Sequence, residues 1–145
     1  MKIRSIDLND LLLIKSEYIK YFNEDEDASW EDATLVRKFM QLTGRYDYLG
    51  LGLFNEQQMI GFAVGSLSQF DDGIIAILNE IFIIKTFQSK GLGTKLIKAF
   101  EREAKVKGAF RIQLECTNDD IHRHFYNTLN DYKDASNIIS KTKAL

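Results

Sequence analysis

Apolar residues recur at two spacings along the chain, and the changes between them mark its elements. Residues 2–6 (KIRSI) read as a short strand. Asp7 then suits a helix N-cap, followed by Leu8, Leu11, Ile14, Tyr18 and Phe22 at helical spacing. A second helix is expected after Ser29. Asp32 lies in its first turn, where a carboxylate complements the helix dipole, Leu35, Val36, Phe39 and Met40 form its buried stripe, and Gly44 stops it. Residues 46–54 alternate, with Leu49, Leu51 and Leu53 on one face, and 55–58 turn the chain into a partner strand over 59–67. After the turn Asp71-Asp72-Gly73, residues 74–87 are apolar on both faces, as a strand covered on both sides is, and this strand is expected at the centre of the sheet. Gly91-Leu92-Gly93 opens a helix carrying Leu92, Leu96, Ile97, Phe100 and Ala104 on one face and ending near Gly108. The next strand, 110–116, is expected parallel to 74–87 through a right-handed crossover. A helix over 122–129, a turn at Asn130-Asp131 and a closing strand over 137–142 complete the pattern.

With 145 residues, 45% hydrophobic and 28% charged, the chain has the size and composition of one soluble domain over 1–145. No apolar run approaches the roughly 20 residues of a membrane span, and the first residues lack the apolar core of a secretory signal, so a cytoplasmic protein is expected. The single cysteine, Cys116, excludes an internal disulfide and a cysteine-rich zinc scaffold, and is expected as a buried strand thiol. A net charge of −2 without a block of Lys and Arg argues against a nucleic-acid surface and points to a small partner.

The candidate chemistry concentrates in Gln88-Ser89-Lys90-Gly91-Leu92-Gly93-Thr94, which joins a hydrophobic strand to a helix N-terminus. Unpaired N–H groups and glycines that admit close approach make such a junction a site for phosphate. A P-loop would need Lys-Ser/Thr after the second glycine, where Thr94-Lys95 stands. A dinucleotide fingerprint would need a third glycine where Leu96 stands. The loop instead satisfies Gln/Arg-x-x-Gly-x-Gly/Ala. With the preceding strand Ile81-Phe82-Ile83, the late Phe125-Tyr126 pair and the order of elements, the chain resembles the GNAT superfamily of N-acetyltransferases over nearly its full length. The resemblance implies an α/β (α+β) fold, a mixed, mostly antiparallel sheet of about six to seven strands flanked by about four helices. It also implies acetyl-coenzyme A (acetyl-CoA) as donor, with no metal. The pyrophosphate is then held by Gln88, Ser89, Lys90, Gly91, Leu92, Gly93 and Thr94, and the pantetheine arm pairs along Ile81, Phe82 and Ile83. Relatives often dimerise, so a homodimer is compatible. Three positions depart from the usual pattern: Lys85 for proline, Gln88 for the commoner arginine, and Leu129-Asn130-Asp131-Tyr132 for the usual Leu-Gly-aromatic.

Transfer to an amine requires a base, and Glu80 is the candidate, since Asn79 and Glu80 are the polar residues within the apolar run and burial raises a carboxylate's pKa. The alternative is a Glu80 that reaches solvent or pairs with a cation. Tyr126 is the candidate acid for the coenzyme A thiolate, against a packing role beside Phe125. Asn118 is a candidate for the pantetheine arm, against a helix cap. His122 and His124, two apart on a helix, point in different directions and make a poor metal site with Cys116. The acidic stretch Glu24–Asp27, with Glu31 and Asp32, suggests a cationic acceptor such as an aminoglycoside, a polyamine or a peptide amine, against a merely solvated loop. Trp30 lines that pocket or pins the helix start. The expected activity is direct acetyl transfer to a primary amine of a small molecule or peptide; the competing expectation is an inactive acyl-CoA-binding or sensor module of the same fold.

Overall fold

A computed structural model covers residues 1–145. Its strands are β1 (Lys2–Ser5), β2 (Tyr48–Asn55), β3 (Gln58–Phe70), β4 (Gly73–Ile83) and β5 (Ala109–Leu114), in the spatial order β1-β2-β3-β4-β5. The first three junctions are antiparallel and β4–β5 is parallel, as the crossover through a helix requires. The helices are α1 (Leu8–Asp25), α2 (Asp32–Thr43), α3 (Leu92–Val106) and α4 (Asp120–Arg123), the last continuing as a π-helical stretch, His124–Leu129. No helix is long and apolar enough to cross a membrane.

Local chemistry accounts for these boundaries. Asp7 caps α1 by accepting from the Asp10 N–H while the Asp10 carboxylate accepts from the Asp7 N–H, a reciprocal capping box. At α2 the Thr34 hydroxyl accepts from the Glu31 N–H at 3.1 Å and donates to the Glu31 carbonyl at 3.0 Å. Phe62, Ala63 and Val64 are consecutive and fully buried, so both faces of the sheet are covered, one by α1 and α2 and the other by α3. The first of these layers is aromatic: Tyr18, Phe22, Phe39, Phe62 and Phe82 pack with ring centroids 4.4–6.2 Å apart.

The mixed, mostly antiparallel fold is as expected, but the sheet has five strands rather than six or seven. Residues 137–142 form no strand. Their apolar pair Ile138 and Ile139 is 54% and 74% exposed, too little buried surface to fix an edge strand. With no strand outside β5, β3 and not β4 is central. On α2 the stripe is Leu35, Phe39 and Leu42, whereas Met40 is 55% exposed. Cys116 lies beyond the end of β5 and is exposed rather than buried. The chain forms two compact units, Met1–Glu115 and Cys116–Leu145.

Candidate active site

In the first unit, β4 changes partners along its length. Its pairing with β5 ends at Leu78 opposite Leu114, whereas its pairing with β3 continues to Ile83 opposite Gly61. From Asn79 onward one edge of β4 therefore has no strand beside it. The register identifies the groups on that edge. The Ile84 N–H donates to the Ile60 carbonyl at 2.8 Å, so Phe82 and Glu80, at the same parity, turn their backbone groups to β3. Ile81 and Ile83 turn theirs to the open edge. Gln88 Nε2 donates to the Ile83 carbonyl at 2.8 Å, which leaves the Ile81 N–H and C=O and the Ile83 N–H along that edge.

A β-bulge marks the parting. Val64 opposes Glu80 while Gly65 opposes Leu78, so Asn79 is the extra residue, and a bulge bends its strand and re-aims its side chains. Gly65 is needed beside it, because a Cβ there would overlap the Ile77 carbonyl. The Asn79 Oδ1 is buried without a hydrogen-bond partner.

Glu80 is half-buried, and its Oε1 accepts from the Tyr18 hydroxyl at 2.6 Å. Tyr18 is 2% exposed, held in the aromatic layer with its hydroxyl aimed at β4. Burial pushes the Glu80 carboxyl above its usual range, opposed by the Tyr18 hydrogen bond and by the positive charge of Lys38. Burial and the neighbouring carboxylate push the Tyr18 phenol far up as well, so it keeps its proton and acts as a donor. The hydrogen-bond partner of Glu80 is thus a phenol, and not the cation of the alternative reading. Tyr18 escaped the sequence reading because it sits in the apolar stripe of α1; its polar tip among Leu11, Ile14 and Phe22 was the available signal.

Beyond Ile83 a single 3₁₀ turn, Lys85–Phe87, leads to the glycine loop. Ser89 (φ 61°) and Gly91 (φ 76°) are both left-handed, and Gly91 is the N-cap of α3 with no side-chain cap. The amides of Leu92 and Gly93 thus lack intrahelical acceptors at the positive end of the helix. A Cβ on Gly91 would meet no atom within 4 Å, so the space over the loop is open. Lys90 Nζ lies 5.7 Å from the Phe87 ring centroid. Loop, open edge and Glu80 are continuous on one strand and its extension.

Between the C-terminal half of α1 and the 3₁₀ turn lies a groove of about 490 Å³ lined by Glu17, Glu24, Asp25, Tyr21, Lys20 and Phe87, among others. Of the acidic stretch, Asp25 pairs with Lys85 at 2.9 Å, Glu26 accepts from Tyr21 at 3.1 Å and Asp32 pairs with Lys15 at 2.5 Å. Asn23 and Trp30 exchange two 2.8 Å hydrogen bonds, which pin the α1–α2 loop.

Tyr126 and Asn118 belong to the second unit. Tyr126 is 7% exposed in the π-helical stretch, its ring 4.9 Å from Phe125 and 5.8 Å from Tyr132. Such stretches are rare and concentrate at functional positions. Asn118 Oδ1 accepts from Arg123 at 2.6 Å, and the cap of α4 is Asp119, which accepts from the His122 N–H. Asp119 also bonds His122 Nδ1 at 2.6 Å, and His124 takes no part in that contact.

Residues 12–130 match the family described as Acetyltransferase (GNAT) family. Among curated proteins none matches. A possible acetyltransferase from Clostridium difficile 630 has a similar structure, with a TM-score of 0.81 at 15% identity over 99% of this chain and 98% of that one. The aminoglycoside acetyltransferase meta-AAC0020, from an uncultured soil metagenomic sample and in complex with sisomicin, has a TM-score of 0.77 at 17% identity, covering 99% and 95%. The aminoglycoside N-acetyltransferase AAC(6')-Iy, in complex with CoA, has 0.75 at 15%, again covering 99% and 95%. At these identities the likeness is one of fold.

Proposed function

The chain belongs to the GNAT acetyltransferase family, and on that premise we propose that it transfers an acetyl group from acetyl-CoA directly to a primary amine. The observation that carries the reading is the open edge of β4, which runs from a half-buried carboxylate, Glu80, to an uncapped helix N-terminus at Gly91. Acetyl-CoA, when bound, supplies an acyl thioester, two amide groups that suit a strand edge and a pyrophosphate that suits the loop. Ile81 and Ile83 offer backbone groups to the arm, and the amides of Leu92 and Gly93 receive the pyrophosphate. In the wider motif Phe82 holds the aromatic face of this strand, while Ser89, Lys90 and Thr94 complete the loop. Gln88 supports the site by occupying the Ile83 carbonyl.

Glu80 accepts the proton of the acceptor's ammonium, directly or through a water, and its raised pKa brings it closer to that task at neutral pH. Tyr126 donates its phenolic proton to the leaving sulfur, and Asn118 contacts the arm. The acceptor is a cationic amine, of the aminoglycoside, polyamine or peptide class. Support for this comes from the carboxylates of Glu17 and Glu24 in the 490 Å³ groove, and from the aminoglycoside acetyltransferases among proteins of like fold.

Thermal shift with acetyl-CoA, CoA, ATP and NADH in parallel tests the donor, because a ligand at 100 times its Kd adds about 2.7 kcal/mol. Acetyl-CoA and CoA should raise the melting temperature and ATP and NADH should not. Thiol release with spermidine, sisomicin and a lysine peptide then tests the chemistry. Glu80→Gln and Tyr126→Phe should each lower turnover about 100-fold or more while both proteins stay folded. Absence of any shift with saturating CoA would overturn the reading.

A further inference from the structure

Three lysines of the chain are half-buried, Lys15, Lys38 and Lys98. Lys15 pairs with Asp32 and Lys98 with Glu101, whereas Lys38 has no carboxylate partner. Its own helix supplies none, because the positions one turn away on α2 are Thr34, Leu35, Gln41 and Leu42. A cation drawn part-way out of water without an anion loses solvation and regains nothing, so its place in the fold needs a reason. Lys38 lies about 60° round α2 from Leu35 and immediately precedes Phe39, both fully buried, so it borders the face that α2 lays on the sheet. Phe39 packs at 5.6 Å on Tyr18, whose hydroxyl holds Glu80 at 2.6 Å, and at 5.9 Å on Phe62, two residues from the Val64 that opposes Glu80. Lys38 thus stands at the border of the site, and its charge reaches the Glu80 carboxylate without closing on it as an ion pair.

An acceptor therefore meets both signs of charge. Its amine arrives at Glu80 as an ammonium, and Lys38 repels it. A purely cationic acceptor has nothing to set against that repulsion, whereas one that carries a carboxylate close to its amine finds a partner for each group. Of the acceptor classes named above, polyamines and aminoglycosides carry no carboxylate, and a peptide can. We propose that Lys38 is a specificity-determining residue that receives a carboxylate of the acceptor, so that the preferred acceptor is the α-amine of a peptide whose first residue is Asp or Glu. Such a residue places its carboxylate within a few bonds of the amine, as two side chains converging on one point of the sheet require. The α-amine suits the base as well: its pKa of roughly 7.7–8.0, against about 10.4 for a lysine side chain, lies closer to a raised carboxyl. This inference rests on the reading of Glu80 as the base of an acetyltransferase.

The test measures thiol release by wild type, Lys38→Met and Lys38→Arg with spermidine and with two peptides that differ only in one charge, Asp-Ala-Ala-amide and Asn-Ala-Ala-amide. Wild type should favour the aspartyl peptide over the asparaginyl peptide and over spermidine about tenfold or more in kcat/KM, the worth of one hydrogen bond to a charged group. Lys38→Met should lose that preference, through a lower rate on the aspartyl peptide, and Lys38→Arg should retain most of it. CoA binding, read by calorimetric titration, should be equal in the three proteins and shows that both variants are folded. A lysine that only tuned Glu80 would, on removal, slow the two peptides equally. That result overturns the role of Lys38 and leaves the acetyltransferase reading standing, as does a wild type that binds CoA but acetylates neither peptide, treats both alike or prefers spermidine. A wild type that does not bind CoA overturns that reading, and this inference with it.

Discussion

Tyr18→Phe isolates one hydroxyl. The ring of Tyr18 packs against Phe22 at 4.4 Å, Phe82 at 5.2 Å and Phe39 at 5.6 Å, and phenylalanine retains all of that surface. What is lost is the 2.6 Å hydrogen bond to Glu80 Oε1. A hydrogen bond to a charged group contributes about 1.5–3 kcal/mol, and removal leaves a half-buried carboxylate oxygen without its donor. For a chain of this length that is roughly 4–10 °C in melting temperature. The sign with pH follows from Glu80. The Tyr18 bond favours the ionised carboxylate, so the part of the stability it adds is present while Glu80 is charged and fades as pH falls through the folded-state pKa of Glu80. Melting curves of wild type and variant should therefore differ most in mildly alkaline buffer and converge in acid. Activity should respond in the same sense: without the donor, burial raises the Glu80 pKa further, and the acid limb of the kcat/KM profile moves to higher pH. A melting-temperature difference independent of pH, together with an unmoved acid limb, would refute the assignment of Tyr18 as the residue that positions and tunes Glu80.

The remaining predictions separate fold from site. Gly65→Ala should lower stability by about 3 kcal/mol or more, read by urea unfolding, because its Cβ would strike backbone at Ile77 rather than a side chain that can move. Gly91→Ala, with open space around it but φ at 76°, should lose only about 1–2 kcal/mol, from conformation alone, yet weaken CoA binding because the new methyl lies over the loop. Glu80→Gln should be more stable than wild type at alkaline pH despite losing activity. A carboxyl whose folded pKa is raised is stabilising when protonated and progressively less so as pH rises from its unfolded value through its folded one, and glutamine stays neutral throughout. Melting curves of the two proteins across pH check this, and a lower melting temperature for the variant at high pH would contradict it.

Much of the fold is legible because local signals and packing agree. Asp7 before an apolar stripe announces α1, and the structure adds Asp10 as the second half of its capping box. The turn residues 55–58 and Asp71-Asp72-Gly73 bracket the long β3, and the strand–helix–strand order gives the parallel β4–β5 pair. On α2 the expected stripe includes Met40, which follows Phe39 by one residue and so lies about 100° round the helix, whereas Leu42, three residues on, continues the face of Leu35 and Phe39 and is covered. The expected strand at 137–142 failed for a different reason: β-propensity measures fit to a half-buried pleated surface, and two isoleucines without partners do not supply one.

The candidate site was legible where it breaks the pattern and hidden where it is made by pairing. Asn79-Glu80 interrupts an apolar strand, and local inconsistency of this kind concentrates where function is served at some expense of stability. What no periodicity carries is the place where β4 and β5 separate, because it depends on how far a strand on the other side of α3 keeps company with it. Nor does composition reveal that the two polar residues differ in status. The carboxylate of Glu80 is met from α1 by Tyr18, 62 residues earlier in the chain, so a charge in an apolar strand is tolerated in the free protein. The carboxamide oxygen of Asn79 is met by nothing in the fold. A buried carboxylate left without a donor costs far more than a buried carboxamide oxygen in the same position, so of two adjacent polar residues the charged one is the one whose partner the fold has to supply. That donor comes from the polar tip of an otherwise apolar helix stripe, which is why it is visible only once α1 is packed on the sheet.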